Sequence, residues 1–273
     1  MITYEIYKHN PFIDVNLIKN PTINYVIYSH SSFKDILNIQ TDHVFGKGRL
    51  TLFINENDVN LDEIYSKYDK IVFYKDNLSY GHKLLSCLNQ IDYEYFIFIH
   101  DNDILLNVDN TKMLEFLTFL KTNNFDRVDF QLAYDFNRTN KDDIKDDELY
   151  LIKSSNVDTT ANGYIFNVNP SMWKRETLIT ILNNFGHRDY RTIEHPEVQI
   201  FCLQFNIFKL FSKKPLKCGY YICLAPFKYL HITHSGHILS PSQLPNGSCD
   251  DIINEYFEIT KKYNLNKSDK WIN

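Results

Sequence analysis

Apolar runs that end in polar turns divide the sequence into predicted strands. Tyr95–Ile99 is an unbroken run of five apolar or aromatic residues, typical of a strand that is buried on both faces of a parallel sheet. Similar runs predict strands over residues 22–28, 49–54, 70–74, 126–134 and 218–227, and one that starts at residue 164. Polar residues follow most of these runs, as expected where a strand reaches the edge of a sheet.

Between the strands, apolar residues recur at helical spacing. Helices are predicted from about residue 33, over 61–68, 83–91 and 110–120, from Pro170 to near Gly186, from Pro196, and over 250–263. Strands that alternate with helices predict an α/β fold with a central, mostly parallel sheet flanked by helices. The sequence has no internal repeat and no linker-like segment, so residues 1–273 are expected to form a single domain.

The strongest chemical signal directly follows the Tyr95–Ile99 strand, in the sequence His100-Asp101-Asn102-Asp103. In an extended chain, side chains two residues apart point to the same side, so Asp101 and Asp103 are expected to converge. Carboxylates are the ligands that Mg²⁺ and Mn²⁺ prefer. The alternative is an ordinary Asp/Asn turn after a strand, without any function.

A hydrophobic strand that ends in Asp-x-Asp resembles the GT-A-type glycosyltransferases, and the similarity of pattern extends over about residues 22–237. The resemblance implies a Rossmann-like domain whose residues 22–135 bind the nucleotide donor and whose residues 150–273 bind the acceptor. It implies transfer of a sugar from a nucleotide sugar, UDP-linked by preference, to a glycan or another hydroxyl acceptor, with inversion preferred. The implied cofactor is Mn²⁺ or Mg²⁺, bound directly by Asp103, while Asp101 contacts the ribose or reaches the metal through water.

Residues at other strand ends are candidates for the donor site. Tyr28, Ser29 and His30 end the first predicted strand and are expected to hold the nucleotide, since ligands of α/β folds collect at the carboxyl ends of strands. By the resemblance, Lys83 approaches the sugar nucleotide. The alternative for Lys83 is a solvated helix residue.

The resemblance also assigns roles in the C-terminal half. His231 or His234, within a cluster of three histidines, would complete the metal shell. Glu197, or else Glu194, would act as the base that deprotonates the acceptor, and Trp173 would stack on an acceptor sugar. Each has an ordinary alternative: a surface or core histidine whose hydrogen bonds are already made, an acidic residue favoured at a helix start, and a tryptophan that packs in the core.

Composition narrows the partners. The net charge is −5 and the sequence has no basic run, which argues against binding to nucleic acid. The five cysteines include no CxxC pair, which argues against a zinc ribbon or a redox motif. The first residues lack the apolar core of a signal peptide, and no apolar run approaches the roughly 18 residues of a membrane span, so a soluble cytoplasmic protein is expected.

Two other functions stay open at this stage. One is a metal-dependent nucleotidyltransferase, although such enzymes usually carry a Gly-rich, basic phosphate loop after the first strand, and residues 29–32 read Ser-His-Ser-Ser. The other is a non-catalytic carbohydrate- or nucleotide-binding protein on a decayed GT-A scaffold. The intact Asp101 and Asp103 argue against it.

Overall fold

The computed structural model describes residues 4–7, 22–56, 61–131, 149–152, 168–188, 218–222, 228–234, 237–241, 244 and 250–265. The strands are β1 (Tyr4–Tyr7), β2 (Asn24–Tyr28), β3 (Arg49–Asn55), β4 (Lys70–Tyr74), β5 (Tyr95–His100), β6 (Asp103–Leu106), β7 (Arg127–Gln131), β8 (Leu149–Ile152), β9 (Ser171–Lys174), β10 (Cys218–Ile222), β11 (Lys228–His231), β12 (Thr233–His234) and β13 (His237–Ile238). The α-helices are α1 (Lys34–Val44), α2 (Asp62–Tyr65), α3 (Tyr80–Leu88), α4 (Asn110–Asn123), α5 (Arg175–Phe185) and α6 (Asp250–Lys262).

Nine of the described strands form one sheet, in the order β1-β8-β10-β7-β9-β5-β2-β3-β4. The strands β5, β2, β3 and β4 are parallel to their neighbours within this group. Beyond β5 the sheet is mixed, because β9 pairs antiparallel with both β5 and β7. The predicted α/β class with helices around a central sheet is confirmed, and the parallel part is the one that carries the candidate site.

Strand β5 is buried on both faces, as its sequence predicts. Phe96 and Phe98 pack into a core cluster with side chains of α3 and α5. Ile97 and Ile99 pack on the opposite face, against side chains of α1 and α4. Burying an aliphatic or aromatic side chain of this size contributes about 1.5–3 kcal/mol, so β5 is a strong anchor for the polar residues that follow it.

The predicted helix start at Pro170 is wrong. Residues 171–174 form β9, and helix α5 begins only at Arg175. Pro170 precedes the strand, and its carbonyl accepts a hydrogen bond from the Phe130 amide at 3.1 Å. Proline in the first helical turn is a local preference, and here the long-range pairing of β9 between β5 and β7 overrides it. The end of α5 at Gly186 agrees with the prediction.

A separate two-stranded sheet is formed by β6 and β11, which run antiparallel. Its register places His231 opposite Asp103. The division into a donor half and an acceptor half stays a prediction. Over the part of the chain that the structure describes, every helix is too short or too polar to cross a bilayer.

Candidate functional site

The candidate site lies at the carboxyl ends of the neighbouring parallel strands β2 and β5, where Tyr28 is in register with His100. The backbone amide of Asp101 donates a hydrogen bond to the Tyr28 carbonyl at 3.1 Å, which continues the pairing beyond β5. The residues that follow each strand, Ser29-His30 and Asp101, are therefore brought side by side. This edge of the sheet is where ligands of α/β folds collect.

Asp101 is held by the segment that follows β2. Its Oδ2 accepts hydrogen bonds from Ser29 Oγ at 3.1 Å and from the His30 amide at 3.3 Å. The pKa of Asp101 is raised to about 6, mainly by burial and to a smaller extent by the negative charge of Asp103, although these two hydrogen bonds oppose the shift. At neutral pH such a carboxyl group is mostly ionised, and a bound cation would lower its pKa again.

Asp103 faces a different partner. Its Oδ1 lies 2.9 Å from Nδ1 of His231. The side chain of Asp103 is 1% exposed and that of His231 is 20% exposed, so the pair links a buried carboxylate to a ring that reaches the surface. The Ile232 amide donates to the Asn102 carbonyl at 2.9 Å and extends the β6–β11 pairing around the pair.

The premise that placed both carboxylates on one side of an extended chain is wrong. Asp101 and Asn102 form a turn between β5 and β6. Asp101 is consequently directed to the segment after β2, and Asp103 to β11. The two carboxylates still lie near enough for the charge of Asp103 to act on Asp101. The turn, rather than strand alternation, brings them together.

The other predicted ligands and bases have different outcomes. His234 lies in β12, opposite His237, and its role in metal binding stays a prediction. Glu194 and Glu197 lie outside the described residues, so their assignment as catalytic base also stays a prediction. Among the described residues, no set of three or more His, Cys, Asp or Glu side chains is arranged to hold a metal ion by itself.

A buried histidine, missed by the sequence analysis, stands immediately before Asp101. His100 Nδ1 lies 2.9 Å from the Val168 carbonyl and must donate to it, so Nε2 accepts from the Tyr80 hydroxyl at 2.7 Å. Burial lowers the pKa of His100 to about 4, which keeps the ring neutral. The only sequence signal was its position, as the last residue of a buried strand.

Tyr28, predicted to hold the nucleotide, lies within an aromatic cluster around His100. Its ring stacks on Tyr74 with centroids 5.1 Å apart and an interplanar angle of 7°. The rings of Tyr80 and His100 meet it edge-on at 5.4 and 5.5 Å. The Tyr74 hydroxyl donates to the Ser29 carbonyl at 2.7 Å, so this cluster also fixes the segment that holds Asp101.

Lys83 and His30 meet at a carboxylate that sequence analysis missed, Asp76. Lys83 Nζ is 3.3 Å from Asp76 Oδ1, and His30 Nε2 is 3.4 Å from Asp76 Oδ2. Asn55 Nδ2 donates to the same Oδ2 at 3.0 Å. Partial burial would raise the pKa of Asp76, but the bonds from Lys83 and Asn55 and the charge of His30 outweigh it and lower the pKa. Its position just after β4, at the same sheet edge, was the available signal.

Lys83 is therefore not simply a solvated helix residue. Its side chain is 17% exposed, and its Nζ lies 5.2 Å from the centroid of the Tyr74 ring. The ion pair and the ring contact hold a positive charge beside the ends of β2 and β4. A fixed cation at this edge is suited to an anionic ligand.

Trp173 has a position that favours the ordinary alternative, core packing. It is fully buried in β9, within the core cluster that includes residues of α3 and α5. The guanidinium of Arg127, itself buried, lies 4.8 Å from the centroid of the ring. Stacking on an acceptor sugar requires a ring face that a sugar can reach, so the structure corrects the role predicted for this residue.

Comparison with protein-family models and with curated proteins finds no match. Among solved structures, the fold is similar to a UDP-glucose pyrophosphorylase complexed with UDP-glucose, at 11% identity and a TM-score of 0.45, covering 90% of this chain and 100% of that chain. It is also similar to a UTP-bound UGPase from Acinetobacter baumannii, at 10% identity and a TM-score of 0.48, covering 91% and 95%. A third is CMP:2-keto-3-deoxy-manno-octonic acid synthetase complexed with CTP, at 8% identity and a TM-score of 0.41, covering 87% and 99%. Similarity at this level does not assign an activity to this chain.

Proposed function

We propose that this protein is a metal-dependent glycosyltransferase that takes its sugar from a nucleotide sugar, UDP-linked by preference. The observation that carries the proposal is the Asp103–His231 pair beside Asp101, at the carboxyl ends of β5 and β2. Carboxylate and imidazole are suitable donors for Mn²⁺, and carboxylate for Mg²⁺. Proteins commonly bind Mg²⁺ through one or two carboxylates, with substrate phosphates completing the coordination shell.

The other described residues of this edge suit the remainder of a nucleotide sugar. Lys83 and His30 place basic side chains around Asp76, where the phosphates of a donor could replace the carboxylate as their partner. Tyr28, which is partly exposed at the adjacent strand end, would contact the nucleoside, whereas the fully buried Ser29 would act by holding Asp101. A bound Mn²⁺ or Mg²⁺ would neutralise the negative charge that develops on the departing nucleoside diphosphate.

The acceptor side of the proposal rests on the sequence. Glu197, or else Glu194, would remove the proton from the acceptor hydroxyl, and this residue would favour inversion at the sugar carbon. Residues 150–273 would bind the acceptor, a glycan or another hydroxyl compound. His234 would be a further candidate for the metal shell.

Nucleotidyl transfer is the second candidate, because basic groups such as Lys83 and His30 near a carboxylate-bound cation also suit attack on a nucleotide phosphate. The two reactions differ in the bond that breaks. Glycosyl transfer releases a nucleoside diphosphate from the nucleotide sugar. In the reverse nucleotidyl reaction, pyrophosphate attacks the nucleotide sugar and gives a nucleoside triphosphate and a sugar phosphate.

The test is product analysis with a panel of UDP- and GDP-sugars, with Mn²⁺ or with chelator, in the presence and absence of pyrophosphate. Slow metal-dependent release of UDP or GDP without pyrophosphate, by hydrolysis or transfer, is the expected result. Triphosphate formed only with pyrophosphate would replace the proposal by the nucleotidyl alternative. Metal-dependent binding in a thermal-shift assay without turnover would indicate a binding protein.

A matched pair of variants ties the result to the site. Asp101→Asn is expected to abolish the metal-dependent release. Asp92→Asn makes the same chemical change on an exposed residue that precedes β5, at the opposite end of that strand, and is expected to leave the release intact. Equal loss in both variants would contradict the assignment of the site.

A further inference from the structure

Strand β4 lies at one end of the nine-stranded sheet, where β3 is its one neighbour among the described strands. The Tyr74 carbonyl accepts a hydrogen bond from the Glu56 amide at 3.0 Å, so the backbone groups of Tyr74 face β3. Backbone groups alternate in direction along a strand, which directs those of Ile71 and Phe73 away from β3. The outer edge of β4 therefore carries donors and acceptors with which a further strand could pair.

The side chains of Ile71 and Phe73 make the centre of this edge apolar. Ile71 is half-buried and packs against the core cluster that includes side chains of α1 and α2. The Phe73 ring meets the Tyr65 ring of α2 edge-on at 6.1 Å, and Phe73 is still 46% exposed. Proteins usually protect an edge strand with charged residues, so an exposed aromatic ring at this position favours a surface that a partner covers.

Charged residues flank the apolar pair symmetrically. Asp69 precedes β4 and Lys75 follows it, each three residues from Val72, and both are exposed. Asp69 Oδ2 accepts from the Leu50 amide at 2.8 Å, which fixes this carboxylate at the start of the strand, whereas Lys75 has a flexible four-carbon stem. Alternate positions along the edge are thus acidic, apolar, apolar and basic, and this order is complementary to itself when the strand is reversed.

We propose that β4 pairs antiparallel with β4 of a second copy of this chain, about a twofold axis at Val72, to form a dimer with one continuous sheet. In this register, Ile71 of each copy exchanges both backbone hydrogen bonds with Phe73 of the other copy, and Asp69 lies opposite Lys75. The same surface is then used on both copies, as in most homodimers. The dimer does not depend on the proposed activity.

Neighbouring registers lack this complementarity. Moving the axis to Ile71 would set Asp69 opposite Phe73, and moving it to Phe73 would set Lys75 opposite Ile71. Of the three axes, the one at Val72 pairs apolar side chains with apolar ones and opposite charges with each other. Both kinds of cross-strand pair stabilise antiparallel strands.

The test combines sedimentation velocity of the 273-residue chain over a range of concentrations with amide hydrogen exchange followed by NMR. We expect a reversible equilibrium between monomer and dimer. Exchange at Ile71 and Phe73 should slow as the dimer forms, while the amides of Val72 and Tyr74, which face β3 in both states, should change little. A monomer at every concentration would overturn the proposal, and so would a dimer with unchanged exchange at Ile71 and Phe73.

Two variants test the register. Lys75→Glu places a like charge opposite Asp69 at two symmetric positions, and is expected to raise the dissociation constant of the dimer about tenfold. Adding Asp69→Asn removes this repulsion and retains an oxygen for the Leu50 amide, so the double variant should recover part of the loss. A double variant that dimerises as weakly as Lys75→Glu would contradict the pairing of these two positions.

Lys261→Glu is the matched control for net charge. Lys261 is exposed on α6, a helix that packs with side chains of β6 and β11 in a core cluster separate from β4. The same change of charge there is expected to leave the dissociation constant unchanged, with melting temperatures confirming that each variant is folded. Equal weakening by Lys75→Glu and Lys261→Glu would indicate repulsion between whole molecules and would overturn the assigned interface.

Discussion

Tyr80 and His100 join the start of α3 to the residue that precedes Asp101, through a 2.7 Å hydrogen bond from the tyrosine hydroxyl to Nε2. Because Nδ1 of His100 donates its hydrogen bond to the Val168 carbonyl, Nε2 of the neutral ring can only accept. Helix α3 and the turn that contains Asp101 are thereby coupled through one buried ring. A substitution at Tyr80 should therefore alter the position of Asp101.

Tyr80→Phe removes this donor and leaves a buried ring nitrogen without it. We expect the free energy of unfolding to fall by about 1–3 kcal/mol in urea denaturation, and metal-dependent UDP binding to weaken as well. The control is Tyr93→Phe, which removes the buried 2.8 Å bond between Tyr93 and Thr51 away from the site. It should lower stability without weakening UDP binding, and a parallel loss of binding in both variants would argue against the coupling.

Asp101 and His100 should make opposite contributions to the pH dependence of stability. The pKa of His100 is lowered to about 4, so between pH 4 and 6.5 the unfolded state binds more protons than the folded state. The stability that His100 contributes is therefore lost as the pH falls through this range. The pKa of Asp101 is raised to about 6, so between pH 4 and 6 the folded state binds more protons, and stability falls as pH rises. The two slopes should largely cancel in the unsubstituted protein without metal.

Replacing either residue should make the effect of the other on the pH dependence of the free energy of unfolding measurable. In Asp101→Asn, the free energy of unfolding relative to the unsubstituted protein should rise with pH between 4 and 6, by up to about 1.4 kcal/mol per pH unit. His100→Gln should show the opposite trend over the same range. Urea denaturation in chelator at pH 4.5, 5.5 and 6.5 measures both, and two parallel curves would refute the assignment of these shifts.

Local patterns predicted the elements that carry the site, but not the contacts between them. The apolar run of β5 and the helical spacing over residues 110–120, which lie in α4, depend on neighbouring residues and were predicted. The burial of Trp173 and the start of α5 depend on the pairing of β9 with strands that are distant in sequence. No spacing rule contains that information.

The same distinction applies within the Asp-x-Asp motif. Its presence is readable in the sequence, but the direction of each carboxylate depends on the turn and on β11, which lies more than 120 residues away. Asp76 was missed for a related reason. It follows β4, and it became a candidate only because β4 lies in the same sheet as β2, with β3 between them. Whether a polar residue after a strand belongs to a site depends on which strands lie next to that strand in the sheet.

Gly81 and Gly186 allow the close approach of α3 and α5 near the site. A Cβ on Gly81 would lie 2.4 Å from the Gly186 Cα and 2.8 Å from its carbonyl oxygen, both backbone atoms that cannot turn aside. Gly81→Ala should therefore push the helices apart and destabilise the protein by about 1–3 kcal/mol. Ser86→Ala, on the same helix, controls for the change in composition, and equal melting temperatures for the two variants would contradict this packing.

Lys83 should contribute to the binding of a diphosphate through its charge. Lys83→Met retains most of the apolar stem and removes the ammonium group that is paired with Asp76. We expect the affinity for UDP, measured by calorimetry with Mn²⁺, to fall about tenfold, or about 1.4 kcal/mol, and the loss to be smaller for UMP. Little loss of stability should accompany it, since partly exposed ion pairs contribute about 0–1 kcal/mol.

Lys67→Met is the matched control for this prediction. Lys67 forms a comparable ion pair with Asp42, at 2.7 Å, on a different part of the surface. Because this pair joins α1 to the segment after α2, away from the carboxyl ends of β2 and β5, its loss should leave the affinity for UDP unchanged. If both variants weaken UDP binding equally, the effect is one of overall charge and Lys83 has no specific role. If Lys83→Met weakens UMP and UDP equally, Lys83 contacts the nucleoside or its first phosphate rather than the second.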